Sequence, residues 1–220
     1  GPCDTGVRCA GTWARGRTFA GAVIGGGPQH VTYAGESTTV VVGDHTTIPE
    51  CCTINRGTTG RMTSRVGSHC LLMVYTHVAH DAVVGDHCVL ANNANIAGHV
   101  TVEDWVIIEG VVAVQQFVSI GQHAFVAGGS LVRKNVPPFV KVAREPLSYI
   151  GVNAIGLRRR GFPDEFVRAV EDIYRTLYIT GGNMSQALKV VELELPVSDA
   201  KETILAFIRA SDKGIVRGPF

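Results

Sequence analysis

The residues best suited to chemistry lie in the segment His77-Val78-Ala79-His80-Asp81. A histidine exchanges a proton near neutral pH, and a neighbouring carboxylate can fix its tautomer and stabilise its cation. Eighteen residues further along the chain, Gly98 precedes His99. A glycine lets its backbone N–H approach a reacting oxygen closely, as an oxyanion donor must. These residue types predict attack by a hydroxyl group on an acyl group.

The candidate residues belong to a repeat with a period of six. From Val66 to Val126, every sixth residue is valine, leucine or isoleucine. The residues four positions further on, from Cys70 to Ser130, are all small or β-branched, and residues 57–65 interrupt the pattern. A β-sandwich would give a period of two. The period of six predicts a parallel β-helix whose coils contain three faces of six residues each.

Coils of 18 residues bring equivalent positions together, at a strand spacing of about 4.8 Å. Gly98 then lies next to His80, and His99 lies next to Asp81, while His77 precedes them on the same coil. The repeat therefore predicts that a base, a carboxylate and a backbone donor meet at one corner. Histidines that only decorate the outside of a β-helix are the alternative interpretation.

A metal centre is the rival chemistry for these histidines. Zinc needs three or four ligands converging at about 2 Å, and His77, His80 and His99 are candidates. The spacing of the histidines differs from that in hexapeptide-repeat carbonic anhydrases, and the aspartate beside His80 suits base catalysis better. We therefore expect no metal and no other cofactor.

The composition excludes several classes of protein. A net charge of +1 gives no global field to attract nucleic acid or a membrane surface. The longest apolar runs are too short for a transmembrane helix, and the start of the chain lacks the pattern of a signal peptide. The six cysteines contain no C-x-x-C pair, so free thiols in a reducing cytoplasm are expected.

The chain changes character after the repeat. The β-helix is predicted to end near Leu131, and Val136-Pro137-Pro138-Phe139 reads as a stiff extended exit. Helices are predicted over residues 162–180, 185–195 and 199–210, with Asp199 and Glu202 as a capping box and Gly181-Gly182 as a stop. We expect a β-helix domain over residues 1–143 and a small helical domain over residues 144–220.

Several motifs together resemble the UDP-N-acetylglucosamine 3-O-acyltransferases, the first enzymes of lipid A biosynthesis. The resemblance runs from about Arg17 to Arg217, whereas residues 1–16 do not match and the first coils seem shortened. The motifs are Leu71-Leu72-Met73, His77-Val78-Ala79-His80-Asp81, Leu90-Ala91-Asn92-Asn93, Ala97-Gly98-His99-Val100, Thr53-Ile54-Asn55-Arg56-Gly57-Thr58, Tyr33-Ala34-Gly35 and Gly156-Leu157-Arg158-Arg159-Arg160-Gly161-Phe162.

The resemblance implies an all-β left-handed parallel β-helix followed by a small all-α domain, assembled as a homotrimer with active sites between subunits. It implies transfer of a 3-hydroxyacyl chain from acyl carrier protein to the glucosamine 3-hydroxyl of UDP-N-acetylglucosamine. His80 matches the catalytic base, Asp81 its orienting partner and Gly98 the oxyanion donor. The implied substrate contacts are Gln29, His77, His99, Gln116, Asn153, Arg159 and Arg160. Gly128 matches a position lining the acyl-chain groove, and Arg159 and Arg160 would bind the diphosphate.

Three positions depart from the family pattern. The family has Asp where this chain has His30, and Lys where this chain has Thr32. The family also has His where this chain has Gln115, which keeps hydrogen bonding but cannot protonate. These departures leave the central dyad intact and keep two alternatives open. The chain could be a catalytically weak binding or scaffold homologue, or a related sugar-nucleotide N-acyltransferase.

Overall fold

The computed structural model describes residues 15–180 and 183–218, which form a left-handed parallel β-helix followed by a helical part. Cys3, Cys9 and the stop predicted at Gly181-Gly182 lie outside these residues. The four cysteines within them, Cys51, Cys52, Cys70 and Cys88, are free thiols. No helix in the described part of the chain is long and apolar enough to span a membrane.

Three sheets form the faces of the β-helix, with strands numbered in chain order. One sheet contains β1 (Arg17–Thr18), β4 (Thr47–Ile48), β7 (Leu71–Leu72), β10 (Val89–Leu90), β13 (Ile107–Ile108), β16 (Phe125–Val126), β18 (Val140–Ala143) and β19 (Ser148–Val152). A second contains β2 (Val23–Gly26), β5 (Thr53–Asn55), β8 (His77–Val78), β11 (Asn95–Ile96), β14 (Ala113–Val114) and β17 (Leu131–Val132). The third contains β3 (Thr39–Val42), β6 (Thr63–Val66), β9 (Val83–Val84), β12 (Thr101–Val102) and β15 (Ser119–Ile120).

The strand register confirms the predicted coil length. His77 pairs with Asn95 and Asn95 with Ala113, an offset of 18 residues per coil. Earlier coils are longer, because Val23 pairs with Thr53 and Thr53 with His77, at offsets of 30 and 24 residues. The additional residues leave the prism as two excursions, the first loop (residues 27–38) and the second loop (residues 57–62).

The repeat fills the interior as predicted. The aliphatic residues from Val66 to Val126 at the sixfold period are buried, and the small residues from Cys70 to Ser130 pack with them near the corners. Corner residues adopt a positive φ although they are not glycine, for example Asp81 (59°), His99 (61°) and Trp105 (61°). Each corner therefore turns the chain sharply and projects one side chain along an edge of the prism.

The three edges carry different side chains. We name them the Asp81 edge (Asp81, His99, Phe117), the Trp105 edge and the Val111 edge (Tyr75, Asn93, Val111). Rings stack continuously along the Trp105 edge, with centroids 4.1–6.1 Å apart. This ring ladder consists of His45, His69, His87, Trp105, His123 and Phe139.

The prediction that the β-helix ends near Leu131 is wrong. β18 pairs in parallel with β16, so the prism continues to Ala143, and β19 then adds an antiparallel strand to the same sheet. The two prolines do not stop the stacking, because Val136, before them, donates to Ser119 and bridges to Ile120. The prolines only replace one regular face with an extended crossing.

Four helices follow the sheets. They are α1 (Ala154–Arg159), α2 (Asp164–Arg175), which continues as a π-helical turn (Thr176–Thr180), α3 (Met184–Glu194) and α4 (Asp199–Arg209). α2 packs its apolar stripe inward, and the Tyr174 hydroxyl donates to the Pro138 carbonyl oxygen at 2.7 Å. The predicted capping box at Asp199 is wrong, because the Ser198 hydroxyl caps α4 by accepting from the Lys201 N–H.

Candidate active site

Asp81 is fully buried on its edge of the prism. Its Oδ1 accepts from the backbone N–H groups of Thr58 and Arg61 at 2.9 and 3.0 Å, and its Oδ2 accepts from the Thr58 hydroxyl at 2.6 Å. Burial raises the pKa of this carboxyl, but the hydrogen bonds from Thr58, His80 and Arg61 outweigh it, so the net pKa is lowered. Asp81 is therefore an ionised carboxylate at neutral pH.

The second loop supplies these donors. A Cβ on Gly57 would lie 2.4 Å from the Thr63 nitrogen, and a Cβ on Gly60 would lie 2.7 Å from Cε1 of His99, so only glycine fits at either position. The Ser64 hydroxyl, just after the loop, accepts from the Asp81 N–H at 2.8 Å. Sequence reasoning missed this support for Asp81, because the loop interrupts the period that located every other neighbour.

Asp81 orients the adjacent His80. The His80 Nδ1 lies 2.9 Å from Asp81 Oδ2, and the His80 side chain is 8% exposed. Since an ionised carboxylate can only accept, Nδ1 carries the proton and Nε2 is left with a free lone pair. His80 is thus held as a neutral imidazole whose Nε2 can take a proton from a substrate hydroxyl.

Gly98 lies directly beside the basic nitrogen of His80. A Cβ on Gly98 would lie 2.6 Å from His80 Cε1 and 2.7 Å from His80 Nε2, so any larger residue would displace the ring. At equivalent corners the backbone N–H donates to a carboxylate, as at Ser68, Asp86, Gln122 and Gly128. Within residues 15–180 and 183–218, the Gly98 N–H has no such acceptor, which leaves it available to an oxyanion.

Two further histidines flank the dyad. The His99 Nε2 lies 3.6 Å from Asp81 Oδ2, and its ring stacks on Phe117 and stands edge-on to His80. Burial lowers the pKa of His99 despite the nearby carboxylate. Burial, with a smaller contribution from His80, also lowers the pKa of His77, whose Nδ1 is 2.7 Å from the Thr53 hydroxyl. Both side chains therefore favour the neutral form.

Three glutamines near this edge point outward. Gln29 is exposed on the first loop, immediately before His30. Gln116 is exposed, and its carbonyl oxygen accepts from Lys213 Nζ at 2.9 Å. Lys213 also lies 5.5 Å from the centroid of Phe117, so it brings a cation to this edge that sequence reasoning missed. Gln115 is exposed beside them.

The other predicted contacts lie on different edges. Buried Asn153 donates to the His123 carbonyl oxygen at 2.9 Å, and the Arg160 guanidinium lies over Trp105, donates to its carbonyl oxygen and contacts His123 Nδ1. Burial, followed by Arg160, lowers the pKa of His123 to about 4. These residues belong to the Trp105 edge, so one chain alone does not bring them to His80.

Arg159 and Gly128 are also remote from His80 in the sequence of faces. Arg159 is exposed on α1, next to Arg158, which pairs with Asp164 at 2.8 Å. Gly128 is exposed where the Val111 edge continues, and a Cβ there would lie 3.2 Å from the Gly110 carbonyl oxygen. The predicted site residues therefore spread over all three edges of a single prism.

One cluster in the described part of the chain could hold a metal ion. It consists of His80, Asp81 and His99, whose ligand atoms lie within 4.8 Å of one another. His77, which the metal hypothesis included, is not a member. The Asp81 oxygens already accept hydrogen bonds from Thr58, Arg61 and His80, so a metal ion would compete with the bonds that orient the base.

Comparisons with known proteins agree with this geometry. A family model described as UDP-N-acetylglucosamine O-acyltransferase, domain 2, matches residues 135–216, and the bacterial transferase hexapeptide model (six repeats) matches residues 63–98. A relative from Xanthomonas oryzae, named acyl-[acyl-carrier-protein]–UDP-N-acetylglucosamine O-acyltransferase, is 47% identical over 206 residues, which cover 92% of this chain and 78% of the relative. The chain belongs to the UDP-N-acetylglucosamine O-acyltransferase family.

Solved structures of this O-acyltransferase family share the fold. The UDP-N-acetylglucosamine acyltransferase of Bacteroides fragilis is 42% identical, with a TM-score of 0.89 and coverage of 93% of this chain and 82% of the other. The Francisella novicida enzyme of the same name is 35% identical, also with a TM-score of 0.89, over 93% of this chain and 76% of the other. The fold predicted from the repeat is therefore confirmed.

Proposed function

We propose that this chain transfers a 3-hydroxyacyl group from acyl carrier protein to the 3-hydroxyl of UDP-N-acetylglucosamine, the first step of lipid A biosynthesis. The observation that carries the proposal is His80, whose Nδ1 donates to Asp81 while its Nε2 faces the backbone of Gly98. The names of the family relatives supply the two substrates, acyl carrier protein thioester and UDP-N-acetylglucosamine.

The reaction follows from the protonation states of the dyad. The His80 Nε2 accepts the proton of the sugar hydroxyl as its oxygen attacks the thioester carbonyl carbon. The carbonyl oxygen becomes an oxyanion, and the Gly98 N–H donates to it. Asp81 stabilises the imidazolium formed in this step. When the tetrahedral intermediate collapses, the carbon–sulfur bond breaks, and the leaving thiolate takes the proton back from His80.

The site is proposed to be completed by a second copy of the chain in a homotrimer. The dyad lies on the Asp81 edge, whereas Asn153 and Arg160 lie on the Trp105 edge. Substrate contacts on different edges can serve one active site if neighbouring copies place their edges together. The proposal is that the Trp105 edge of one copy faces the Asp81 edge of the next.

The remaining residues receive roles within this arrangement. Gln29, His77, His99 and Gln116 surround the reacting sugar, and Asn153 holds it from the neighbouring copy. Arg159 is exposed and able to present a guanidinium fork to the diphosphate, while Arg160 is held on Trp105 and lines the same pocket. Gly128 lies on an open strip of the Val111 edge, where the absence of a side chain leaves room for an acyl chain.

Domain organisation and location complete the proposal. The boundary between residues 143 and 144 coincides with the end of β18, the last parallel strand of the prism. The protein is proposed to act in the cytoplasm, where acyl carrier protein thioesters are made. Four free thiols, of which Cys52, Cys70 and Cys88 are buried, fit a reducing compartment.

The decisive experiment incubates the purified protein with UDP-N-acetylglucosamine and 3-hydroxyacyl thioesters of acyl carrier protein of several chain lengths. His80→Ala is expected to lower kcat/KM at least about 100-fold, because it removes the general base. His69→Ala is the matched control, since it removes a histidine from the Trp105 edge. If no thioester gives acylated sugar nucleotide, the chain is a binding or scaffold homologue instead.

A further inference from the structure

The first loop places a second imidazole against the proposed base. The rings of His30 and His80 have centroids 4.9 Å apart and planes at 76°, an edge-to-face contact. His30 is exposed, whereas His80 is buried. His30 therefore borders the approach to His80 from solvent, where a substrate hydroxyl must enter.

Thr32 fixes which nitrogen of His30 carries the proton. The Thr32 backbone N–H donates to His30 Nδ1 at 3.4 Å, and the Thr32 hydroxyl lies 2.9 Å from the same atom. Because a backbone N–H can only donate, Nδ1 must be an acceptor, and the neutral ring carries its proton on Nε2. His30 and His80 are thus opposite tautomers: His30 Nε2 is a donor, and His80 Nε2 is an acceptor.

Building on the proposed function, we propose that His30 recognises the acceptor sugar by donating its Nε2 proton to an oxygen next to the reacting hydroxyl. A base and a donor side by side suit a substrate with oxygens on adjacent carbons, as a sugar has. The thioester carbonyl oxygen is bound elsewhere, by the Gly98 N–H. Thr32 is a positioning residue, because it acts on the substrate only through His30.

The pair His30 and Thr32 recognises the sugar without a formal charge. Each hydrogen bond between neutral groups contributes about 0.5–1.5 kcal/mol, which corresponds to a change in affinity of about two- to tenfold. The effect should concern binding more than turnover, because neither residue exchanges a proton with the reacting atoms. It should also be confined to the sugar nucleotide, because the acyl donor is held by other groups.

The test measures steady-state kinetics with each substrate varied in turn, together with the calorimetric affinity for UDP-N-acetylglucosamine. His30→Ala is expected to raise the KM for the sugar nucleotide about three- to tenfold and to weaken its binding by a similar factor. The KM for the acyl carrier protein thioester should not change. His30→Gln should recover part of the affinity, because its amide nitrogen can donate from near the position of Nε2. His69→Ala is the control.

A double-mutant cycle tests the role of Thr32. Thr32→Val should raise the KM for the sugar nucleotide by less than His30→Ala does, and Thr32→Ser should restore it. In the His30→Ala background, Thr32→Val should have no further effect, because its action passes through the imidazole. Additive effects would overturn the positioning role.

The outcomes separate this inference from the proposed function. If the unmodified protein forms product and His30→Ala leaves both the KM and the affinity for the sugar nucleotide unchanged, the recognition role is refuted and the acyltransferase activity stands. A rise confined to the KM of the thioester would also refute it. If the unmodified protein forms no product, the calorimetric arm alone decides whether His30 binds the sugar nucleotide.

Discussion

Asp81→Asn tests the proposed chemistry most sharply, because it changes one atom and little of the shape. The new amide can keep its oxygen towards the N–H groups of Thr58 and Arg61. Its NH₂ group would then replace Oδ2, facing the Thr58 hydroxyl and His80 Nδ1. An NH₂ group can only donate, so His80 Nδ1 must become the acceptor and the proton must move to Nε2. The base would lose its lone pair towards the substrate.

The magnitude follows from the two losses. Removing a hydrogen bond between a carboxylate and an imidazolium costs about 1.5–3 kcal/mol, or about 10- to 150-fold in rate. Reversing the tautomer adds a further penalty, and the same change in Ser-His-Asp triads lowers kcat about 10⁴-fold. We expect Asp81→Asn to lower kcat by about 10³- to 10⁴-fold. The free energy of unfolding should fall by only about 1–3 kcal/mol, because the Thr58 hydroxyl can turn to accept.

The assay combines initial rates with thermal and urea unfolding. Asp86→Asn is the matched control, because its Oδ1 accepts from the Ser68 N–H at a corner of the Trp105 edge, away from His80. It should lose comparable stability and keep its activity within about threefold. The reasoning fails if Asp81→Asn retains wild-type kcat. It fails equally if Asp86→Asn loses as much activity, because unfolding rather than chemistry would then explain both.

Two further predictions concern Gly98 and His123. Gly98→Ala should lower kcat at least about 100-fold, because its Cβ would collide with the His80 ring, whereas Gly110→Ala, with its nearest listed neighbour replaced by the Asn92 carbonyl oxygen at 3.3 Å, should stay near wild type; equal activities would remove Gly98 from the site. His123 has a pKa of about 4 in the fold against 6.5 as a model value, so the unfolded chain binds the proton first as the pH falls. Its contribution to stability is complete above pH 6.5, and about 2 kcal/mol of it is lost by pH 5; His123→Phe, which keeps a ring in the ladder, should remove this part of the pH dependence measured by urea unfolding.

The period of six made the centre of the site predictable. Interior positions are strictly apolar, so the coil length could be counted, and the count placed Gly98 beside His80 and His99 beside Asp81. The structure agrees, with a Gly98 Cβ only 2.7 Å from His80 Nε2. Such arithmetic works because each coil contacts only its neighbours.

The rest escaped sequence reasoning for identifiable reasons. Thr58 and Arg61 lie on the second loop, where the period stops and no register can be counted. The contact between His30 and His80 depends on how the first loop folds back, which a local pattern does not encode. The end of the β-helix was placed too early, because proline lacks an N–H group. The structure compensates with the bonds of Val136 to the preceding coil.

The offsets of 30, 24 and 18 residues between successive strands have an evolutionary consequence. All are multiples of six, so each insertion returned the chain to the prism in phase. An insertion of any other length would rotate every later side chain away from its edge and scatter the site. Length variation in the regular coils is thus quantised, and new loops can be acquired beside the active site without disturbing the residues that follow them.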